Sequence, residues 1–415
     1  MLSKVLIGLV GLLAAVLLVT AGFLGRDVYD RQFGQPSRIA QAPAAAAADA
    51  KTSHPFGILG EVAQILGEDF VEPDKAKADA LFQGAVEGLF GKLEDSHSTY
   101  ISPEDYALQK SDFEGSFEGI GATVSKQGEW LVITNPLPNT PAEKAGVKAG
   151  DTILAVDGES AQGWTVEQGV SRIRGPVGKI VKLKLRHPDG KEEELSIQRG
   201  KITQASVSTT PPTSGGKLTD ASGAEVTDYA YIMIRSFTKS TPDEVQQALE
   251  AANNAKAKGI ILDMRSNPGG LLNETIKIAD MFLDKGEIIS QVDRGGAIQT
   301  ASAKSGTVTN LSVVVLQDQF SASGAEVLAA AIKENNRGQV IGTRSFGKGT
   351  VNHLRELSNG GAVYVSIARW LTPARNQIEG QGVQPNIEVN PTQDDIQARR
   401  DIWVHRAIEL LRTGR

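Results

Sequence analysis

The chain has 415 residues, more than one typical domain, so two or three domains are expected. A net charge of −6 without a basic block argues against nucleic-acid binding, and the absence of cysteine excludes thiol catalysis, disulfide bonds and a lipid-anchor cysteine. The five histidines are scattered, with no pair at ligand spacing, so no metal site is expected and no cofactor is predicted.

Residues 1–25 predict an export segment. Residues 5–25 carry no charge and are long enough to span a bilayer, with Lys4 before them and Arg26 after them. A retained anchor and a cleaved signal peptide are both open, because small residues around Ala21 offer a cleavage point. Either alternative places the body of the protein outside the cytoplasm, in the cell envelope. A retained segment would anchor it in the inner (cytoplasmic) membrane, and a cleaved one would leave it periplasmic or secreted. Residues 26–54, with mixed charges and an alanine run, predict a flexible linker.

Residues 55–111 predict an N-terminal helical segment, because apolar residues recur there at helical spacing. Near its end lies the short run Asp95-Ser96-His97-Ser98. A catalytic role for His97 is an alternative, but a structural hydrogen bond is the favoured interpretation.

Residues 112–200 begin with a glycine-rich run and continue with Ala149-Gly150-Asp151, which leads into an apolar strand. This pattern resembles a β-rich PDZ domain of the bacterial protease type. The resemblance implies that a loop binds a peptide C-terminus, because successive backbone N–H groups converge on the carboxylate while the peptide adds a strand to the sheet edge. The residues of this loop are Gly119, Ile120, Gly121 and Ala122. The alternative is an ordinary glycine-rich bend.

Residues 201–390 alternate strands and helices, and three loops there carry candidate chemistry. A strand over residues 259–264 ends at the turn Asn267-Pro268-Gly269-Gly270. An apolar strand over residues 311–316 ends shortly before Ser323, where a helix over residues 324–335 is predicted to begin. Lys348 lies in a turn between two glycines. Residues 391–415 predict a C-terminal helix.

Ser323 and Lys348 together indicate nucleophilic catalysis. A serine hydroxyl is a weak nucleophile until a base takes its proton, and lysine can be that base only when it is neutral. Burial or nearby positive charge favours the neutral amine. A helix beginning at Gly324 would also aim its N-terminal N–H groups at the reacting centre.

Ser323 and Lys348 also have interpretations that involve no catalysis. Standing alone, Ser323 would be a helix N-cap and Lys348 a residue of a turn. Gly342, Gly347 and Lys348 partly match a nucleotide-binding loop. That loop is excluded because Gly349 replaces the required Ser or Thr and a β-hairpin is predicted where a helix is needed.

The serine run, the lysine turn and the Asn-Pro-Gly-Gly turn resemble those of the carboxyl-terminal processing peptidases, also called tail-specific proteases. The resemblance covers about residues 55–390. It implies an α+β multidomain fold, in which the helical segment and the PDZ domain precede a ClpP/crotonase-like α/β peptidase core.

The resemblance also implies a role for each site residue. Ser323 is the nucleophile, Lys348 is the base, and the N–H groups of Gly269 and Gly324 form the oxyanion hole. Asn352 stands where the family has glutamine, and the resemblance implies that it orients the lysine amine.

The resulting prediction is an exported serine endopeptidase whose PDZ domain recognises substrate C-termini. One alternative is a PDZ-based binding or scaffold protein with an impaired peptidase core, and another is a crotonase-type acyl-CoA enzyme. The expected partners are proteins or peptides with free, apolar C-termini and the membrane at the N-terminal segment. A second copy of the chain and an adaptor protein are further candidates.

Overall fold

The computed structural model describes residues 55–414, except residues 104, 107, 108, 111–113, 204, 213 and 399. The predicted export segment and linker, residues 1–54, therefore lie outside the described residues. Within the part that is described, no helix combines the length and the apolar character needed to cross a membrane. The described residues divide into two compact units, with the boundary between Ala85 and Val86.

The N-terminal segment is helical, as predicted. Helix α1 is Pro55–Asp69 and helix α2 is Ala78–Leu93, with a 3-10 turn, Pro73–Lys75, between them. Pro55 occupies the first position of α1, where its missing N–H costs no helical hydrogen bond. A short strand, β1 (Thr99–Ile101), follows α2.

A β domain comes next in the chain. Its strands are β2 (Ser116–Gly119), β3 (Ala122–Gln127), β4 (Trp130–Pro136), β5 (Thr152–Val156), β6 (Glu159–Ser160), β7 (Ile180–Arg186), β8 (Glu192–Gln198) and β9 (Gly200–Thr203). Its helices are α3 (Pro141–Lys144) and α4 (Val166–Ile173). The main sheet has the order β3-β4-β5-β7-β8, with β6 beside β5, and its pairings are antiparallel.

Alternation of apolar and polar side chains explains this sheet. Along β7 the residues Val181, Leu183 and Leu185 are fully buried, and the residues between them are exposed. At the other side of the sheet β3 is an edge strand, and α4 lies beside it. In a PDZ domain, a peptide binds in the groove between an edge strand and a helix and adds a strand to the sheet.

The remaining residues form a mixed α/β core. Its strands are β10 (Val207–Ser208), β11 (Tyr229–Ile234), β12 (Gly259–Asp263), β13 (Glu287–Asp293), β14 (Ile298–Ser302), β15 (Ser312–Gln317), β16 (Gly338–Gly342), β17 (Thr350–Glu356), β18 (Ala362–Leu371) and β19 (Ile387–Glu388). Its helices are α5 (Thr241–Asn254), α6 (Leu272–Phe282), α7 (Gly324–Glu334), α8 (Gln393–Gln397) and α9 (Ile402–Thr413). The C-terminal region thus contains two helices, where one was predicted.

The main sheet of the core has the order β10-β11-β12-β15-β16-β19, parallel except for the antiparallel pair β10–β11. Strand β12 is buried along its whole length, as expected for a parallel strand covered on both faces. Helices α5, α6 and α7 cover one face, and α9 covers the other. A second sheet has the order β1-β18-β13-β14, with β17 paired to β18 as the predicted hairpin.

Three neighbouring parallel strands position the site. Strands β12, β15 and β16 lie side by side, so the loops that leave their carboxyl ends meet at one sheet edge. These loops contain the Asn-Pro-Gly-Gly turn, Ser323 and Lys348, respectively. The predicted α+β fold with a helical segment, a PDZ domain and an α/β core is confirmed.

Candidate active site

Ser323 lies between the end of β15 and the first residue of α7. Its φ of 52° places it in the left-handed region, which is uncommon for a residue with a Cβ atom. Strained turns of this kind between a strand and a helix present nucleophilic serines in other hydrolases. Ser323 lines a cleft of about 480 Å³. Ser321 does not line this cleft: it is buried, and its Oγ donates to the carbonyl of Met264 at 2.9 Å.

Glu326 was not predicted as a site residue, yet it joins the two loops of the site. Its carboxylate is fully buried. Oε2 accepts the backbone N–H of Ser323 at 2.8 Å and that of Lys348 at 2.9 Å. Oε1 accepts the N–H of Gly347 and the hydroxyl of Ser345, both at 2.6 Å. Burial raises the pKa of Glu326 above its ordinary value, although these hydrogen bonds act in the opposite direction.

Lys348 is half-buried, and burial lowers the pKa of its amine below the ordinary value. Nearby carboxylates oppose that lowering, first Glu379 and then Asp95 and Glu326. The ammonium lies 5.3 Å from the centroid of the Tyr364 ring. No hydrogen-bond acceptor for Nζ is found among the described residues. A lowered pKa is the direction that a general base requires.

Ser323 and Lys348 are brought to the same sheet edge, but they are not hydrogen-bonded to each other in the part of the chain that the structure describes. Their connection runs through the backbone and Glu326. Proton transfer requires Oγ and Nζ to come within hydrogen-bond reach, and such bonds are often long before substrate binds.

The predicted oxyanion donor Gly269 has an internal hydrogen-bond acceptor in the structure. Its N–H donates to Oδ1 of Asn267 at 2.8 Å, so it is already engaged. The N–H groups of Gly270 and Gly324 have no acceptor among the described residues, and Gly270 lines the same cleft as Ser323. A Cβ atom on Gly270 would lie 2.2 Å from the carbonyl oxygen of Phe237, so only glycine fits there. Gly270 and Gly324 are therefore the pair that the geometry favours.

Asn352 lines the cleft with Ser323, but none of its hydrogen bonds within the described residues goes to Lys348. Its Nδ2 donates to the carbonyl of His97 at 2.7 Å and to Oγ of Ser366 at 3.2 Å. His97 in turn has its Nε2 2.9 Å from Oε1 of Glu379. His97 thus has the structural hydrogen bonds favoured from the sequence, and the orienting role of Asn352 stays a prediction.

The cleft around Ser323 is mostly apolar with a charged rim. Apolar side chains in its lining come from several elements, namely Leu271, Leu272, Ile289, Val327, Val351, Leu354, Tyr364 and Trp370. Lys110 and Lys239 lie at the same cleft. Such a lining suits the apolar side chains of an extended peptide. In the described part of the chain, no group of three His, Asp or Glu side chains is arranged to hold a metal ion.

The predicted C-terminus loop lies beside a small apolar pocket. The pocket has a volume of about 60 Å³ and lies between the loop and α4. Its lining consists of Phe117, Ile120, Gly121, Ala122, Val124, Val170, Ile173 and Arg174. In the described chain, the N–H groups of Ile120 and Gly121 have no acceptor. Gly121 has a φ of 78°, which a residue with a side chain rarely adopts.

Comparison with known proteins identifies the family of the chain and two of its domains. The model of peptidase family S41 matches residues 228–389, and the model of the PDZ domain matches residues 109–186. The carboxy-terminal processing protease CtpA of Bacillus subtilis is 34% identical over 334 residues, covering 80% of this chain and 68% of that protein. A probable CtpA-like serine protease of Staphylococcus haemolyticus is 33% identical over 318 residues, covering 76% of this chain and 61% of that protein.

Among solved structures, the photosystem II D1 C-terminal processing protease is 26% identical with a TM-score of 0.48, covering 84% of this chain and 96% of that one. The chain spans 61% and 68% of the length of the two curated relatives above.

Proposed function

The chain belongs to peptidase family S41 and to its carboxy-terminal processing proteases, and we propose that it acts as an exported serine endopeptidase that selects substrates by their C-termini. One observation carries the proposal. Ser323 and Lys348 donate their backbone N–H groups to the same buried carboxylate oxygen, at the edge where three loops meet. This contact holds the proposed nucleophile and base in one unit.

In the proposed reaction, neutral Lys348 takes the proton of the Ser323 hydroxyl as the oxygen attacks the scissile carbonyl carbon. The electron pair of the C=O bond moves onto the oxygen, and the N–H groups of Gly270 and Gly324 stabilise the resulting charge. Collapse of this intermediate breaks the C–N bond, and Lys348 returns its proton to the leaving amine. Water activated by the same lysine then hydrolyses the acyl-enzyme and releases Ser323.

The PDZ domain is proposed to select proteins and peptides with free, apolar C-termini. The N–H groups of Ile120 and Gly121 are the proposed carboxylate donors, because they lack other acceptors within the described residues. The last side chain of the substrate would fill the pocket beside Val170 and Ile173. The peptide would add a strand to the edge strand β3.

Export is proposed from the sequence of residues 1–25. We propose that the catalytic body works outside the cytoplasm, either tethered to the membrane or released after cleavage of the segment. The measurement is fractionation of cells that produce the full chain. Recovery of the protein only with the cytoplasm would contradict export.

A comparison of two variants tests the endopeptidase. The full chain should degrade an unfolded protein with a free apolar C-terminus, and Ser323→Ala should not. Ser302→Ala, which changes an exposed serine on β14, is the matched control and should degrade it at the wild-type rate. Equal degradation by Ser323→Ala would contradict the proposal. No degradation by any variant, together with retained peptide binding, would favour the scaffold alternative.

A further inference from the structure

Three consecutive N–H groups in the lysine turn are held by two carboxylates from different parts of the chain. Glu326 accepts the N–H groups of Gly347 and Lys348. The next N–H, that of Gly349, donates to Oε2 of Glu379 at 2.7 Å. The lysine turn is therefore fixed from two sides, by Glu326 in the first turn of α7 and by Glu379 in the loop between β18 and β19.

The backbone around Glu379 is packed tightly against the same turn. A Cβ atom on Gly349 would lie 2.7 Å from the backbone nitrogen of Glu379, so glycine is needed for this approach. The N–H of Gly380 donates to the carbonyl of Gly347 at 2.9 Å. The position of Glu379 relative to Lys348 is thus set by main-chain contacts as well as by its carboxylate.

His97 holds the other oxygen of the Glu379 side chain. The distance from Nε2 to Oε1 is 2.9 Å, and the His97 side chain is only 14% exposed. The backbone of His97 is fixed as well, because its N–H donates to Oδ1 of Asp95 and its carbonyl accepts from Asn352. One carboxylate therefore has both oxygens hydrogen-bonded, one to the lysine turn and one to a half-buried ring.

We propose that Glu379, held by His97, is a positioning residue for the reaction, which fixes the backbone of the lysine turn and places a negative charge beside the Lys348 amine. This inference rests on the proposed role of Lys348 as base. The carboxylates of Glu379, Asp95 and Glu326 act electrostatically on the Lys348 amine, and the Tyr364 ring centroid lies 5.3 Å from it.

The charge and the hydrogen bond of Glu379 have separable effects. Glu379 is the leading cause that raises the pKa of Lys348 against its burial. Glu379→Gln keeps an oxygen for the N–H of Gly349 but removes the charge, so the pKa of Lys348 should fall further. The rising limb of kcat/KM against pH should then move to lower pH. Glu379→Ala also removes the hydrogen bond, so its kcat should fall as well.

The test is the pH profile of peptide cleavage by the full chain and by Glu379→Gln. We expect the midpoint of the rising limb to move to lower pH by about half a pH unit or more. The shift is modest because the Glu379 side chain is 43% exposed, so that water screens its charge. Glu225→Gln removes an exposed carboxylate from a surface ion pair with Lys217 and is the matched control, with no shift expected. His97→Gln, which retains a donor for Glu379, should lose less kcat than His97→Leu.

The outcomes separate this inference from the proposed function. An unshifted midpoint in Glu379→Gln, with Lys348→Ala inactive, would overturn the role of Glu379 and leave Lys348 as the base. Full activity of Lys348→Ala would overturn the proposed function itself. A shift towards higher pH in Glu379→Gln would also overturn the inference, because removal of a negative charge cannot stabilise the ammonium.

Discussion

Ser323 and Lys348 donate their backbone N–H groups to one carboxylate oxygen of Glu326, at 2.8 and 2.9 Å. The proposed nucleophile and base are thereby coupled before any side-chain contact between them is made. Glu326 lies in the first turn of α7, where the helix dipole favours a negative charge. A change at this buried residue should therefore affect both loops.

We first predict that Glu326→Gln lowers both activity and stability. Four groups donate hydrogen bonds to the Glu326 carboxylate, and in the variant at least one of them would face an amide N–H₂ group in place of an oxygen. A buried donor left unsatisfied in this way costs about 1–3 kcal/mol. Displacement of the two loops should reduce kcat by about 100-fold. The measurements are denaturant unfolding and peptide turnover. Glu250→Gln, on the exposed face of α5, is the control, and wild-type kcat in Glu326→Gln would contradict the prediction.

The second prediction concerns the pH dependence of Lys348. Burial lowers the pKa of its amine, so the neutral base becomes populated as pH rises and the rate should rise with it. Lys348→Arg should be inactive because a guanidinium stays charged. A pH profile without a rising limb, measured when chemistry is rate-limiting, would count against lysine as the base.

The same lowered pKa has a consequence for stability. Folding favours the neutral amine of Lys348. Its contribution to the free energy of unfolding is therefore fully present above the unfolded-state pKa, and it is lost as pH falls through the lower folded-state pKa. Below the unfolded-state pKa, and therefore at neutral pH, the presence of Lys348 at this half-buried position lowers the free energy of unfolding. Lys348→Met should be inactive and should unfold at a higher temperature than the wild type near neutral pH, as thermal scans can measure.

Much of this fold could be predicted from the sequence because its signals are local. The apolar runs over residues 259–264 and 311–316 predicted strands β12 and β15 with bounds that differ from the observed ones by at most one residue. The same signals placed Ser323 directly before α7. Patterns of this kind depend on residues that are neighbours along the chain.

Contacts between distant segments could not be predicted in the same way. Glu379 reaches Gly349 and His97 only after the chain has folded, and no local pattern marks it. Gly269 and Gly270 both fit the sequence motif, and they are distinguished by the hydrogen bond of Gly269 to Asn267 and by the position of Gly270 in the cleft lining. Glu326 did carry a local signal, the Ser-x-x-Glu spacing of a capping box that begins at Ser323.

The third prediction concerns the oxyanion hole. In a crystal structure of the protein with a peptide boronate bound to Ser323 Oγ, one boronate oxygen should lie about 2.7–3.1 Å from the backbone nitrogens of Gly270 and Gly324. The N–H of Gly269 should keep its bond to Asn267. An oxygen bound by Gly269, with that bond broken, would restore the donor assigned from the sequence.

The fourth prediction concerns Asn352. Its hydrogen bonds to His97 and Ser366 indicate that Asn352→Ala should lose about 1–2 kcal/mol of stability. If Asn352 also orients Lys348 when substrate is bound, turnover should fall by about one to three orders of magnitude. Unfolding and single-turnover measurements on the same variant separate the two effects. Lower stability with wild-type turnover would remove Asn352 from the catalytic unit.

The last prediction joins the PDZ pocket to substrate choice. A free carboxylate can accept charge-assisted hydrogen bonds from the N–H groups of Ile120 and Gly121, and amidation removes that charge. The pocket of about 60 Å³ is small and apolar, so a charged last residue would have to be desolvated to enter it. Substrates that end in a free, small apolar residue should therefore be degraded faster than amidated or acidic-ended versions.

Two variants locate this preference. Val170→Lys places a charge in the pocket and should reduce the difference in degradation rate between substrates that end in a free apolar residue and those that end in an acidic one. Lys191→Ala, on an exposed turn of the same domain, is the control and should keep that difference. Equal rates for free and amidated substrates in the unmodified protein would show that the PDZ domain does not read the carboxylate. A preference that survives Val170→Lys unchanged would place its origin in the apolar cleft around Ser323.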